Sequence, residues 1–228
     1  MGFSDIGCYG SEIATPNIDD LAAGGIKFSQ FYNSARCCPT RASLLTGLHP
    51  HQAGIGHMVA DFGEPAYRGF LNEKCITIAE VLGDAGYVTL MSGKWHVGGD
   101  YPLNVWDRVN QGDATHPTPC QRGFDHFYGT LAGSGNFFDP HTLMRDDEYI
   151  ELENYGDYYY TDAIAENAAG FIEDYGQGKS PFFLYVGFTA PHWPLHALEE
   201  DIDRYRGDYL AGWDSVRTSR HETQKGMG

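Results

Sequence analysis

The segment Phe182-Phe183-Leu184-Tyr185-Val186-Gly187-Phe188 is almost continuously apolar, and it runs into the polar loop Thr189-Ala190-Pro191-His192-Trp193-Pro194. Such a run suits a central strand covered on both faces. A helical stretch precedes it. Thr161 or Asp162 is placed to cap that helix, Ile164, Ala168, Phe171, Ile172 and Tyr175 share one face, and Gly176 and Gly178 end it. The same order occurs earlier in the chain. Thr77 can cap a helix over Ile78 to Ala85, Gly86 lies just past its end, and Tyr87 to Met91 reads as a short strand. That strand leads into Gly93-Lys94-Trp95-His96-Val97-Gly98-Gly99. Helices alternating with buried strands predict an α/β sheet. Ligands of such sheets gather outside the carboxyl ends of the strands. Both polar loops lie at such ends, which makes Lys94, His96 and His192 candidate site residues.

Towards the N-terminus, Thr15-Pro16-Asn17 can start a helix that Gly24-Gly25 ends. Ile26 to Tyr32 reads as a strand, and a further helix begins near Pro39 and stops at Gly47. The Asp, Glu and Tyr cluster from Arg145 to Tyr160 reads as a solvated loop or hairpin. No internal repeat or low-complexity segment appears.

Composition narrows the classes. The chain has 228 residues, 42 % of them hydrophobic and 14 % aromatic, enough for a sizeable core and against intrinsic disorder. With 31 acidic against 15 basic residues the net charge is −16, so the basic footprint of a nucleic-acid binder is absent. No apolar run approaches the roughly 18 residues of a membrane span. Met1-Gly2-Phe3-Ser4-Asp5 lacks the basic start and apolar stretch of a signal peptide. Cysteines at 8, 37, 38, 75 and 120 are an odd set without zinc-ribbon spacing, and they leave the redox compartment open.

The stretch Cys37-Cys38-Pro39-Thr40-Arg41-Ala42-Ser43-Leu44-Leu45-Thr46-Gly47 carries the most chemistry. Pro39 fits the first helical position, which puts Cys37 at the helix N-terminus and Arg41 on the same face. A helix N-terminus beside an Arg attracts anions and lowers a thiol pKa. The alternative is a pair of ordinary buried thiols beside a capped helix. Likewise a lone Lys is usually a solvated charge and a lone His usually structural. Lys94 and His96 are two apart, so an extended backbone would aim both to one side. The histidines at 49, 51 and 57 admit a metal reading that the pattern does not favour. Trp95 and Trp193 read as packing residues, and the cysteines other than Cys37 as structural.

The pattern Cys-x-Pro-x-Arg, followed by four residues and then Thr-Gly, resembles the signature of the type I sulfatases, within the alkaline phosphatase-like superfamily. Thr15 to Ala22 resembles that family's first helix, and Gly2 to Gly10 the segment after its first strand. Gly93-Lys94-Trp95-His96 and Ala190-Pro191-His192-Trp193-Pro194 resemble two further family blocks, and all occur in the family's order. Bacterial arylsulfatases are the most similar. The resemblance implies an alkaline phosphatase-like sandwich, a largely parallel mixed sheet between helices, with residues 1–228 as the N-terminal part of one catalytic domain.

The resemblance also implies a mechanism. Cys37 would be oxidised to Cα-formylglycine by a maturation enzyme that recognises Cys37, Pro39 and Arg41. One hydroxyl of the hydrated aldehyde would attack sulfur, and the other would then expel sulfate. Arg41 would hold the nucleophile, Lys94 a sulfate oxygen, His96 the diol, and His192 the sulfate and the leaving oxygen. The substrate would be a small sulfate ester or a sulfated glycan. The family holds Ca²⁺ with two adjacent Asp, an Asp-Asn pair and the formylglycine. The Asp pair would lie before Met1 and the Asp-Asn pair after Gly228, leaving Cys37 as the one family metal ligand present. The expectation is therefore an incomplete fold, lacking the first strand and the C-terminal part, marginal in stability and with little or no activity by itself. Phosphonate monoester or phosphodiester hydrolysis and a non-catalytic, degenerate role are the alternatives. Localisation stays open, with a periplasmic or secreted parent compatible with the resemblance.

Overall fold

The computed structural model describes residues 2–100, 112–153 and 156–227. The chain divides into two units, Met1–Phe31 with Ala197–Gly228, and Tyr32–His196.

The larger unit is built on a five-stranded sheet. In chain order its strands are β1 (Val88–Gly93), β2 (His126–Thr130), β3 (Leu143–Arg145), β4 (Glu148–Tyr149) and β5 (Phe182–Gly187), and their spatial order is β4-β3-β2-β1-β5. β1 runs parallel to both β2 and β5, with Met91 opposite Phe127 and Tyr185. β3 and β4 extend the sheet antiparallel, and they are the hairpin within the acidic, Tyr-rich stretch. The sheet is thus mixed, with a parallel core, as expected.

Helices cover both faces. Successive strand residues point to opposite sides. Met91 and Phe127 join Cys38, Ala42 and Leu45 of helix α2 (Cys37–Thr46) and Ala79 of helix α3 (Ile78–Asp84) in one buried cluster. Their strand neighbours point the other way. Tyr128 packs with Tyr160, Ala163 and Ile164 of helix α4 (Tyr160–Tyr175), and Ser92 donates a hydrogen bond to the Ile164 carbonyl at 2.8 Å. This is the helix–sheet–helix sandwich of an α/β fold.

The capping grammar is clearest in α3. Thr77 Oγ1 accepts from the Glu80 N–H at 3.1 Å, and Glu80 accepts from the Thr77 N–H at 2.6 Å. This reciprocal box satisfies two first-turn donors. Gly47, with φ of 70°, ends α2, its N–H bonding the Ser43 carbonyl.

Four local expectations change. α2 starts at Cys37, two residues before Pro39. Proline still fits because first-turn N–H groups have no helical partner. α4 starts at Tyr160 without a side-chain cap. Burial of Tyr160, whose hydroxyl accepts from the Thr130 N–H at 2.8 Å, sets that boundary instead of Thr161 or Asp162. β5 is the edge of the sheet among the described strands and is only half-buried, because strands flank β1 on both sides but β5 on one. Ile26 to Tyr32 is not a strand. No described segment pairs with it, and Ile26, Phe28, Phe31 and Tyr32 are exposed. Propensity alone does not make a strand where no ladder satisfies the backbone.

In the smaller unit, helices α1 (Pro16–Ala23), α5 (Glu199–Arg204) and α6 (Trp213–Met227) accompany two short 3₁₀ turns, Phe3–Asp5 and Gly7–Tyr9. α1 has Pro16 in its first turn and Gly24 after its end, as read from the sequence. Arg220 of α6 pairs with Asp5 at 2.6 Å and donates Nε–H to Glu12 at 2.9 Å. The Arg220 hydrogen bond holds the Glu12 carboxyl down to about 2.

Candidate active site

The site forms where the parallel strands end. Beyond β1 the chain stays bonded to both neighbours. Lys94 N–H donates to the Gly187 carbonyl at 2.8 Å, Trp95 N–H to Thr130 at 2.9 Å and His96 N–H to Leu131 at 3.0 Å. Gly93 makes this approach feasible. Its φ is 116°, and a Cβ there would stand 2.3 Å from the Gly187 carbonyl oxygen. Trp95 is fully buried, and its indole N–H donates to the Pro117 carbonyl at 2.8 Å. This anchors the loop from beneath. Lys94 and His96 are consequently buried as well.

His96 does not continue an extended strand. Its φ is 58°, so the two-residue alternation expected from spacing does not apply. Both side chains nonetheless act on Cys37, because the sharp turn at His96 brings its ring across to the start of α2. Cys37 Sγ, Cys38 Sγ and a ring nitrogen of His96 all lie within 4.8 Å of one another. Cys38 Sγ is 3.2 Å from His96 Nε2. Cys38, read as purely structural, thus belongs to the site.

The two thiols separate electrostatically. Hydrogen bonds from Cys38 and then His96, with the Lys94 charge, outweigh burial and hold the Cys37 thiol far below its usual range. The bond to Cys37 and burial push the Cys38 thiol up. The pair thus favours negative charge on Cys37 over Cys38. Burial and the Arg41 charge bring Lys94 down to about 8, against the opposing pull of Cys37. Burial lowers His96 despite its bond to Cys37, which leaves a neutral imidazole at pH 7. Its Nδ1 is buried with no hydrogen-bond partner among the described residues.

Arg41 reaches across to the sheet. Its guanidinium donates to the Lys94 carbonyl and, at 3.4 Å, to the Tyr185 hydroxyl. Tyr185 was not evident as a site neighbour from sequence, although its place two residues before the end of the parallel strand β5 is a usable signal.

A cavity of about 240 Å³ opens over Cys37. Cys37, His96, Asp100, Ser134 and His192 line it. His192 is exposed, and its Nδ1 lies 2.5 Å from the Trp193 carbonyl, which requires the proton on that nitrogen. Trp193 does not pack beside the loop. It is 73 % exposed. Asp100 and Ser134 escaped the sequence reading, yet Ser134 lies in the loop after β2, another carboxyl-end position. A Cβ on neighbouring Gly133 would stand 1.9 Å from the His96 ring, so a glycine there leaves the ring its space. His49, His51 and His57 do not converge. His51 meets Tyr67 edge-on, and His57 Nε2 lies 3.0 Å from Arg36. Among the described residues no helix is long and apolar enough to cross a membrane.

Comparison with known proteins agrees with this arrangement. The chain is 35 % identical over 242 residues to the arylsulfatase of Klebsiella aerogenes, covering all of this chain and 48 % of that enzyme. It matches the crystal structure of Ps i-CgsB in complex with k-i-k-neocarrahexaose with a TM-score of 0.74 at 29 % identity, over 98 % of this chain and 50 % of that one. It matches BT4656, crystallised with its substrate D-glucosamine-2-N,6-O-disulfate, with a TM-score of 0.67 at 27 % identity, over 91 % of this chain and 36 % of that one. A likeness to an alkaline phosphatase superfamily protein of Vibrio parahaemolyticus, with a TM-score of 0.53 at 21 % identity over all of this chain and 46 % of that one, concerns the fold alone. The chain spans less than half the length of the first curated relatives it matches, 42 % and 48 %. The family model described as Sulfatase matches residues 1–226, and with the Cys-x-Pro-x-Arg helix and the Lys94–His96 turn meeting at one cavity, the chain belongs to the type I sulfatase family with its alkaline phosphatase-like fold.

Proposed function

We propose that the protein is a sulfuric ester hydrolase of the arylsulfatase type, acting on a small sulfate monoester or a sulfated glycan, and that Cys37 is the precursor of its Cα-formylglycine. The observation that carries this reading is the meeting of Cys37, His96 and His192 around one cavity, with the Lys94 charge beside it. Residues 1–228 form the N-terminal part of one catalytic domain in this reading.

The hydrated aldehyde at position 37 supplies one hydroxyl to attack sulfur and a second to release sulfate. The chain's own residues do the rest. Lys94, buried and cationic at neutral pH, attracts a sulfate oxygen and offsets the charge that grows there. His96 is neutral and within reach of position 37, so it can take a proton from that residue. His192 lines the same cavity with Nδ1–H committed to a backbone carbonyl, so Nε2 is the nitrogen left for the substrate; as the doubly protonated imidazolium it would hold the sulfate and give its Nε2 proton to the leaving oxygen. Arg41 acts through the backbone, holding the Lys94 carbonyl and with it the loop that carries Lys94 and His96. A maturation enzyme recognising Cys37, Pro39 and Arg41 would be the partner that makes the aldehyde.

Ca²⁺, the ion expected from the family, does not fit the donors found among the described residues. It takes six to eight oxygens. Among the described residues the one group of close donors is Cys37, Cys38 and His96, and Asp100 is the one carboxylate lining the cavity. No step here passes through Ca²⁺, and the 228-residue chain by itself is expected to turn over little or no substrate.

The test is co-expression with a formylglycine-generating enzyme, followed by mass spectrometry of the peptide containing residue 37 and capture by a hydrazide. An aldehyde at 37, absent from Cys37→Ala, supports the reading; an unchanged thiol overturns it. In the full-length parent, Lys94→Ala should lower aryl sulfate turnover about 10²–10³-fold. A preference for phosphonate over sulfate esters would transfer the activity to the phosphonate alternative.

A further inference from the structure

The failure of Ca²⁺ to fit raises the question of what the same donors do fit. Two sulfurs and one imidazole nitrogen select soft or borderline cations, not oxygen-seeking ones. We propose that the thiol form of this chain, before any conversion of Cys37, binds one Zn²⁺-class cation through Cys37 Sγ, Cys38 Sγ and His96 Nε2.

The geometry supports this on several counts. The three donors lie within 4.8 Å of one another, and the Cys38–His96 separation is 3.2 Å. Tetrahedral zinc, with bonds of about 2.0–2.3 Å, spaces its ligands about 3.3–3.8 Å apart, so small side-chain shifts suffice. The donors come from two anchored elements. Cys38 is fully buried in the α2 core, and His96 is held by its backbone bond to Leu131. Cys37 and His96 both line the cavity, from which a water could supply a fourth ligand.

Charge is close to balanced. Binding displaces the Cys38 proton to solvent, after which two thiolates and a dication sum to zero; Lys94 and Arg41 are the nearby cations that oppose binding. Metal on Nε2 puts the His96 proton on Nδ1, which has no acceptor among the described residues. A ligand without that outer support binds metal less tightly. The site should therefore be weaker than a structural zinc site and accessible to chelators. Conversion of Cys37 removes one of the two sulfurs, so metal occupancy and the aldehyde exclude each other. The inference concerns the thiol form and stands whichever reaction the converted protein carries out.

The test uses the 228-residue chain made without a maturation enzyme, kept reduced, with the thiol at position 37 verified by mass spectrometry. Cd²⁺ titration followed by thiolate charge-transfer absorption should reach one ion per chain. Zinc-edge X-ray absorption should show two sulfurs and one imidazole nitrogen. Changes outside the ligand shell cost about 10–100-fold in affinity, so Cys38→Ser and His96→Gln should each weaken binding by at least about 100-fold. Cys8→Ser and Cys120→Ser should leave it unchanged. Undiminished binding in Cys38→Ser, or a zinc shell with fewer than two sulfurs in the unaltered chain, overturns the proposal. The second measurement decides the matter even if a variant fails to fold.

Discussion

The guanidinium of Arg41 donates a hydrogen bond to the backbone carbonyl of Lys94, joining the signature helix to the loop beyond β1. Residues 53 apart in sequence thereby share one electrostatic environment. Arg41 shapes that environment as well as holding it, because its charge helps depress the Lys94 pKa.

Replacing Arg41 by Gln should raise the Lys94 pKa above its present value of about 8, since a like charge is removed. It should also destabilise the chain by about 1.5–3 kcal/mol, the worth of a charge-assisted hydrogen bond. NMR titration of a labelled Lys94 and urea unfolding measure the two effects separately. A lowered Lys94 pKa would contradict the arrangement.

Lys94 itself is a stability liability. Its folded pKa is about 8 against an ordinary value of 10.5, so the folded state holds the proton less tightly than the unfolded chain does. Between those values the unfolded chain binds more protons, and stability from this group rises with pH. Below pH 8 the full penalty applies. Lys94→Met should therefore stabilise the chain at pH 7 by up to about 3 kcal/mol, at about 1.4 kcal/mol per pKa unit. The advantage should shrink as pH rises towards 10. Paired denaturant curves at pH 7 and pH 10 measure it.

Gly133→Ala should displace the His96 ring, because its Cβ would fall 1.9 Å from Cε1. Overpacking of this kind destabilises by about 1–3 kcal/mol. Gly170→Ala, inside α4 with open space around its Cβ, should instead stabilise by about 0.4–1 kcal/mol. Thermal melts of the two variants should move in opposite directions.

Arg122 fastens the end of the loop before β2 to α3. Its guanidinium bonds Glu80 at 3.0 Å and the carbonyls of Leu71 and Cys75 at 3.2 and 2.8 Å. Arg122→Met strands these acceptors and should cost about 3–5 kcal/mol. Burial acts to raise the Glu80 pKa, but bonds from Arg122 and Thr77 prevail and hold it below the usual value. Its stabilising contribution is present above the unfolded carboxylate pKa and is lost as pH falls through the lower folded one. Arg122→Met should flatten that acid limb, which stability measured from pH 6 downward will show.

The local grammar was legible where neighbours in sequence supply the physics. The Thr77 cap, the Gly47 stop and the helix after Pro16 involve groups within four residues of one another, and all appear as read. Boundaries set by distant partners were not legible. Tyr160 starts α4 because Thr130, 30 residues away, receives its hydroxyl. Ile26 to Tyr32 has strand composition but no pairing partner among the described residues.

The site divides in the same way. Cys37, Arg41, Lys94, His96 and His192 stand out in the chain itself, because each sits in a short motif at a helix start or strand end. The resemblance of those motifs to the type I sulfatase blocks points to the family, and the alternation of helices and apolar strands to the α/β class. The tertiary structure decided what the motifs do to one another. It placed Cys38 against His96, favoured negative charge on Cys37 over Cys38, turned His96 out of the strand register and drew Lys94 down to about 8. Those outcomes depend on burial and on charges brought within a few ångströms by chain reversal, and neither quantity is present in a linear order of residues.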